Sequence, residues 1–597
     1  MTGPHTDDAA PTTRTPGRRA RAVLIGCGVL VVAVLAAAAW IGVRGWLAKS
    51  ELEAAAEAGE EAASAMLAHD ADAAEAAADG FGAHAAEAAR LTGDPIWAVA
   101  EAIPWVGDDL AAASTMAREL DRVASDAVLP LVAILGDLDP NALRDSEGRI
   151  DVARIASVAP VIHGASTSIG TALDRVSGIP SEGLFAPVAS AREQFVGALD
   201  RASGVAGAVD DAVSFVPAAL GSEGARQYLI LSLNNAELRT AGGIPGAIAL
   251  VSVEDGVLTL VRQAGAYDFS EFASPLALDD GTRAVFGDEV GRYIQNITMT
   301  PDFAETGELA AGMWQQTFGD RIDGVVALDP IALSYLLAAT GPVTVPGAAP
   351  IDADNAVERL LVDPYRVPTF DQFARDRYFG AIAAATLTSM LSQPVDLGAL
   401  VSSVGRAGDE HRLSIWSAHP DEQAALERST FAGLLAAQQE SGDQTYGVYL
   451  NDSTAAKLDP YLGVSIDVGA APADDGGRAE VTVRVTLENT VTQSDLALMP
   501  SDASGAYREG FGHGRIATIV TVSPPEGTFD GGVVVDGERV AYASRDGFAG
   551  PANSLPVDIE PGATIVLEFR FTSAEPGQVD PQVVHTPLIR QIPIGRL

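Results

Sequence analysis

The sequence predicts a multidomain protein: one transmembrane helix, an all-α elongated helical bundle, an α/β layered domain with a mixed sheet, and a C-terminal antiparallel β-sandwich. Three observations predict it. One uninterrupted apolar stretch runs from Ala22 to Val43. The hydrophobic period beyond it is helical to about residue 220. From Gln227 onward strand-like runs take over, first alternating with helices and after Tyr461 without them. At 597 residues the chain exceeds what a single core organises.

Residues 1–21 are polar and rich in Pro, Thr and Arg, which predicts a disordered cytoplasmic tail. Residues 22–43 would span roughly 33 Å at ~1.5 Å per residue, enough for the hydrocarbon core of a bilayer. Arg14, Arg18, Arg19 and Arg21 precede the span, whereas only Arg44 and Lys49 follow closely. The positive-inside bias therefore places the N-terminus in the cytoplasm and the bulk of the chain outside. Trp40 and Trp46 fall at the outer end, where indoles favour the membrane interface. A cleaved signal peptide would carry a shorter apolar run and a small-residue cleavage site, so a retained anchor is the reading. Cys27, the sole cysteine, lies inside the span and excludes an intrachain disulfide.

Residues 44–220 read as extracytoplasmic helical stalk and bundle. From Lys49 to about Arg90 the chain is dominated by Ala, Glu and Asp, which predicts one long, solvated helix with little to bury. Between Asp94 and Leu220 three apolar stripes at helical spacing, led by Leu110, Ile155 and Phe195, predict antiparallel hairpins. Residues 225–460 read as the α/β domain. Tyr228–Leu233, Ala247–Val253 and Val257–Val261 are strands, with a hairpin turn at Glu254-Asp255-Gly256. Helix Leu309–Phe318, strand Gly324–Leu328, helix Pro330–Ala339, strand Val343–Val345, helix 371–391 and strands near 412–417 and 446–450 follow. Residues 461–597 carry short alternating strands between Gly, Pro and Asp turns, the pattern of a sandwich.

The net charge is −42; residues 1–49 carry six basic and two acidic side chains, leaving −46 on the remainder. Such a surface repels nucleic acid and anionic headgroups, so no nucleic-acid partner is expected. Zinc-hydrolase, nucleophile-elbow and paired-cysteine motifs do not occur, and the histidines lack ligand spacing. The richest chemistry lies in Asn234-Asn-Ala-Glu-Leu-Arg-Thr-Ala-Gly-Gly-Ile-Pro-Gly246, between two strands. Gly242 and Gly243 let backbone N–H groups approach an anion, and Arg239 offers a bidentate fork. A Gly-rich connection shaped by Glu237 and Arg239 is the bland alternative. Asn234, Asn235, Glu237 and the external Lys457 are supporting candidates, with an ordinary surface pair the default for Lys457.

The segments Tyr228-Leu-Ile-Leu-Ser-Leu-Asn-Asn-Ala-Glu-Leu-Arg-Thr-Ala-Gly-Gly243, Val325-Val-Ala-Leu-Asp-Pro330, Thr340-Gly-Pro-Val343 and Lys457-Leu-Asp-Pro-Tyr461 resemble the domain-of-unknown-function family 4012, a group of bacterial membrane-anchored proteins. The family name brings no established activity. The strand order and the helix-opening Asp371-Gln-Phe-Ala-Arg-Asp-Arg377 are similar to the LytR–CpsA–Psr domain. That resemblance implies binding, and transfer to peptidoglycan, of polyprenyl-pyrophosphate-linked wall glycopolymer, with Arg239, Arg375 and Arg377 on the pyrophosphate. It also implies Mg²⁺, assisted by Asp371. Thr240-Ala-Gly-Gly243 and Val261-Arg-Gln-Ala-Gly265 stand where that domain carries acidic residues. Loss of both would remove metal ligands, so the rival expectation is a non-catalytic envelope scaffold whose protein partners the sequence does not name.

Overall fold

The computed structural model describes residues 18–68, 70–138, 143, 149–345, 349–366, 378, 381–382, 385–386, 389, 397–442, 444–454, 456–471, 477–506, 512–548 and 550–597. The chain forms two compact units, residues 1–136 with 160–210, and residues 137–159 with 211–597.

In the first unit, α1 runs over Arg18–Leu67, and its apolar part is long enough to cross a membrane, making it a candidate anchor. The chain then turns back. Asp70 caps α2 (Ala71–Thr92) by accepting from the Ala73 N–H at 3.1 Å. The expected single helix to Arg90 is thus corrected to an antiparallel hairpin. Its seam is made of Ala55, Ala62, Ala74, Ala78, Ala85 and Ala88, all buried, with Phe81. Alanine lets two helices approach closely, so a stripe with little hydrophobic surface per residue still packs. Beyond it come α3 (Pro95–Ala100), α4 (Gly107–Val123), α5 (Leu129–Ala133), α6 (Val152–Ser177) and α7 (Ala186–Ala219), the last two belonging to this unit only over residues 160–177 and 186–210. Met116, Val123, Ile169, Val176 and Leu199 share one core; Ile169, Val176 and Leu199 belong to the expected stripes, whereas α4 contributes Met116 and Val123 from outside the stripe led by Leu110.

In the second unit the described strands make three sheets. The first comprises β1 (Arg226–Asn234), β2 (Ile244–Glu254), β3 (Val257–Gly265), β4 (Gly324–Leu328) and β5 (Leu413–Ser417), in the order β3-β2-β1-β4-β5. β4 runs parallel to β1 and the other pairs are antiparallel, so the sheet is mixed. Asp255 and Gly256 both adopt positive φ in the β2–β3 turn, matching the twist of a tight hairpin. α8 (Asp280–Phe286) and α9 (Phe303–Phe318) precede β4; α10 (Pro330–Thr340), α11 (Ala356–Leu361) and α12 (Leu397–Asp409) follow it. The expected strand at Val343–Val345 is only a bridge from Val343 to Ile351. Most of the helix expected at 371–391 lies outside the described residues.

The other two sheets share a core of Val481, Val483, Val485, Phe569, Phe571, Val520 and their neighbours. Thr445–Asp452 (β6) belongs here, paired with Ile516–Ser523 (β9). The next strands, Leu462–Ala471 (β7) and Arg478–Asn489 (β8), pair antiparallel with each other, and β8 also pairs antiparallel with Thr564–Pro576. Two short strands, Gln582–His585 and Ile594–Arg596, join in parallel, which departs from a purely antiparallel sandwich. Helices do not cease at Tyr461 either: Gln493–Leu498 forms one, capped by Thr492, whose Oγ1 accepts from the Asp495 N–H.

Candidate functional site

The two faces of the mixed sheet meet different surroundings. Leu229, Leu231 and Leu233 of β1, with Ile248 and Leu250 of β2, point into a core shared with Leu309, Met313 and Trp314 of α9. The alternate residues Ile230, Ser232 and Asn234, with Ala247, Ala249 and Val251, line a cavity of about 320 Å³. Leu333 and Leu336 of α10, Leu360 and Leu361 of α11, Ile382, and Val404 of α12 close its other side. The volume lies at the small end of the ~300–1,000 Å³ range of ligand pockets. Small side chains on the sheet, Ser232, Ala247 and Ala249, leave the space that Leu or Ile would fill. Polar groups are few: Asn234 and Asp329 stand at the strand ends, and Ser232 and Thr386 interrupt an otherwise apolar wall. This arrangement suits a hydrocarbon guest whose polar end emerges beside Asn234 and Asp329.

Asp329 is held hard. It caps α10, its Oδ1 accepting from the Ile331 and Ala332 N–H groups at 3.0 and 2.7 Å. Its Oδ2 accepts from Asn235 Nδ2 at 3.1 Å and from Arg412 Nη1 at 2.7 Å. Arg412 also donates to Glu410 and to the Leu588 carbonyl, so the pair is nearly saturated with partners. Both groups are buried, and each of the three Arg412 nitrogens donates to an acceptor, which holds the pair in place.

The Asn234–Gly246 loop stands at the cavity rim. Asn234 donates from Nδ2 to Glu237 at 3.2 Å and to the Tyr365 hydroxyl at 3.0 Å. Glu237 pairs with Lys457 at 2.5 Å, with both side chains mostly buried. Asn234, Glu237 and Lys457 are therefore brought together. Asn235 donates to the Gly242 carbonyl as well as to Asp329. Gly242 has φ +116°, and a Cβ on Gly243 would fall 2.2 Å from the Asn234 carbonyl oxygen, so both glycines are demanded by the loop's own closure.

Arg239 turns away from the cavity. Its Nη1 donates to the carbonyls of Leu238 and Asp452, and its Nη2 to Asn296 Oδ1. Leu238 lies in the sandwich core, and its N–H donates to Asp459 Oδ2 at 2.6 Å. Thr240 and Asn451 exchange hydrogen bonds next door. Burial raises the Asp452 carboxyl, and burial with the neighbouring Asp452 pushes Asp459 well above the usual carboxylate range. The central loop thus fastens the mixed sheet to the sandwich. Asp371, Arg375 and Arg377 lie outside the described residues.

Among the described residues no group of three or more His, Cys, Asp or Glu is placed to hold a metal ion. Asp452 Oδ1 receives Thr454 and Asp459 Oδ2 receives Leu238, while Asp459 Oδ1 is buried without a hydrogen-bond partner, and burial favours its protonated form, which is a poor metal ligand. The described loop does not fit Mg²⁺.

Residues 223–365, from before β1 through the Asn234–Gly246 loop, β4, α10 and α11 to Tyr365, match a family model described as "Protein of unknown function (DUF4012)". This segment belongs to the DUF4012 family. Its matched residues contribute most of the cavity wall, and β5, α12, Ile382 and Thr386 complete it from beyond the DUF4012 match. No curated protein matches the chain. A solved structure from Legionella pneumophila, named provisionally as a nutrient binding protein, aligns at 12% identity over 19% of this chain and 40% of its own length, with a TM-score of 0.12. The chain thus spans less than half of that structure, and so low a score carries no argument about the DUF4012 fold.

The sequence points to the loop but not to the cavity. Alternating strands look the same whether the second face meets a core or a void. The Asp329–Arg412 pair was equally hidden: its members are separated by 83 positions. The Leu328-Asp-Pro330 sequence is its only local sign, as a helix cap.

Proposed function

We propose that this is a single-pass, extracytoplasmic cell-envelope protein that binds the hydrocarbon chain of a lipid-linked wall glycan in the cavity over the mixed sheet. The cavity carries the reading: it is apolar along its length and polar at one rim. A polyprenyl chain fits that chemistry, with the pyrophosphate and glycan left at the Asn234 end. The candidate anchor α1 would hold the site near the membrane that supplies such lipids. Arg239 is engaged with internal carbonyls and Arg375 and Arg377 lie outside the described residues, so the reading is one of binding and does not rest on transfer.

A second reading has its own support. The Asn234–Gly246 loop spends most of its polar groups on internal bonds, as a non-catalytic envelope scaffold would. A polyprenyl-pyrophosphate analogue titrated against the detergent-solubilised full chain separates the two. Saturable binding that is lost in Ala249→Phe and kept in Arg239→Ala supports the cavity; absence of binding by folded protein supports the scaffold.

A further inference from the structure

In the first unit, a short turn at the end of the α1–α2 hairpin is apolar on its outside. Trp105 is 87% exposed and Val99 73%, with Ile96, Ile103 and Val106 exposed beside them. Five large apolar side chains in eleven residues are more than scattered surface exposure. Glu101 is the only charged residue from Ile96 to Val106, and it accepts from the Ser114 hydroxyl at 2.6 Å. The patch is not a loose loop. Trp97 is buried, with its indole N–H donating to the Leu110 carbonyl at 3.1 Å. A Cβ at Gly107 would meet the Glu101 carbonyl oxygen at 2.1 Å, so the turn closes only with glycine there. Trp105 itself has φ +72°, a backbone state that bulky residues rarely adopt.

The register of the hairpin fixes the level of this turn. Glu51 meets His84; Arg44 donates to the carbonyls of Arg90 and Leu91; Trp40 donates to Asp94 at 3.1 Å. Each step towards the end of α2 therefore moves towards the apolar part of α1. Asp94 is also paired with Arg44 at 2.9 Å, with both side chains mostly buried. Asp94 thus stands level with Trp40 and Arg44, and the Trp97 ring packs against Gly45, so the turn is set beside the outer end of the apolar run.

We propose that residues 96–106 form a second membrane contact, an apolar wedge tipped by Trp105 that seats in the interfacial zone of a phospholipid bilayer beside α1. The proposal rests on α1 being a membrane anchor. Indoles and aliphatic side chains favour that zone, and the near absence of charge suits insertion rather than attraction to headgroups. Two attachment points would fix the tilt of the α1–α2 hairpin, where one helix would swivel.

Nitroxide labels test it in the full chain, with Cys27→Ser as background, reconstituted into phosphatidylcholine vesicles. Labels go on Val99→Cys, Ile103→Cys and Trp105→Cys, with Leu35→Cys inside α1 and Glu75→Cys on exposed α2 as references. The relative access of oxygen and a water-soluble nickel chelate is measured at each. The expected ratio at 99, 103 and 105 is several-fold above that at 75 and approaches that at 35. A ratio equal to that at 75, with 35 lipid-like, overturns the wedge and leaves the anchor. A water-like label at 35 overturns both. Labels at 99 and 105 shielded from both reagents would mean that protein covers the turn, which also overturns it.

Discussion

Arg412 shows how much one side chain holds at the cavity rim. It is 7% exposed and pairs with Asp329, which is 1% exposed and caps α10. Arg412→Met would leave that carboxylate buried without its cation. Such a loss destabilises by about 3–5 kcal/mol, measurable by urea unfolding. Asp459 titrates instead. Its folded carboxyl is raised above the ordinary 3.8, so the native state retains a proton that the unfolded chain releases. Stability then falls as pH rises from the unfolded value towards the folded one. Asp459→Asn keeps a carbonyl acceptor for the Leu238 N–H and removes that slope. The decline in thermal stability as pH rises above the unfolded-state value of 3.8 should therefore be shallower in the variant. At this scale the sequence singled out Asn234, Glu237 and Lys457, which do meet. It offered Arg239 as an anion-binding candidate beside a structural alternative, and the structure shows its guanidinium donating to the Leu238 and Asp452 carbonyls and to Asn296. Nothing local marks whether a guanidinium faces solvent or a partner more than two hundred residues away.

Among the elements, the β1–β2 hairpin and the Asp255–Gly256 turn were legible because turn chemistry and strand alternation are local. The α1–α2 reversal was not: alanine contributes little to an apolar count, and its value as a close-packing surface appears only when two helices meet. β6 is similar, since its sequence reads as a strand but its partner β9 is set by long-range pairing. The loop's role as a fastener can be tested at Leu238, fully buried in the sandwich core. Leu238→Ala should cost roughly 2–5 kcal/mol in denaturant unfolding. In contrast, Ala249→Phe places a ring into existing space. It should leave stability within about 1.5 kcal/mol of the parent and abolish guest binding.

For the whole molecule, an apolar N-terminal helix, a helical unit, and a cavity-bearing mixed sheet fastened to a sandwich are the parts on which the proposed binding of a lipid guest rests. The strong negative charge beyond residue 49 disfavours contact with anionic headgroups, so under the proposal contact with a bilayer would fall to α1 and the Trp105 turn. The central claim is that the cavity holds a hydrocarbon chain, and extraction of the purified full chain followed by lipid mass spectrometry tests it most directly. The account predicts near-stoichiometric prenyl lipid from the parent protein and its loss from Ala249→Phe. Equal amounts of bulk phospholipid alone from both proteins would contradict it.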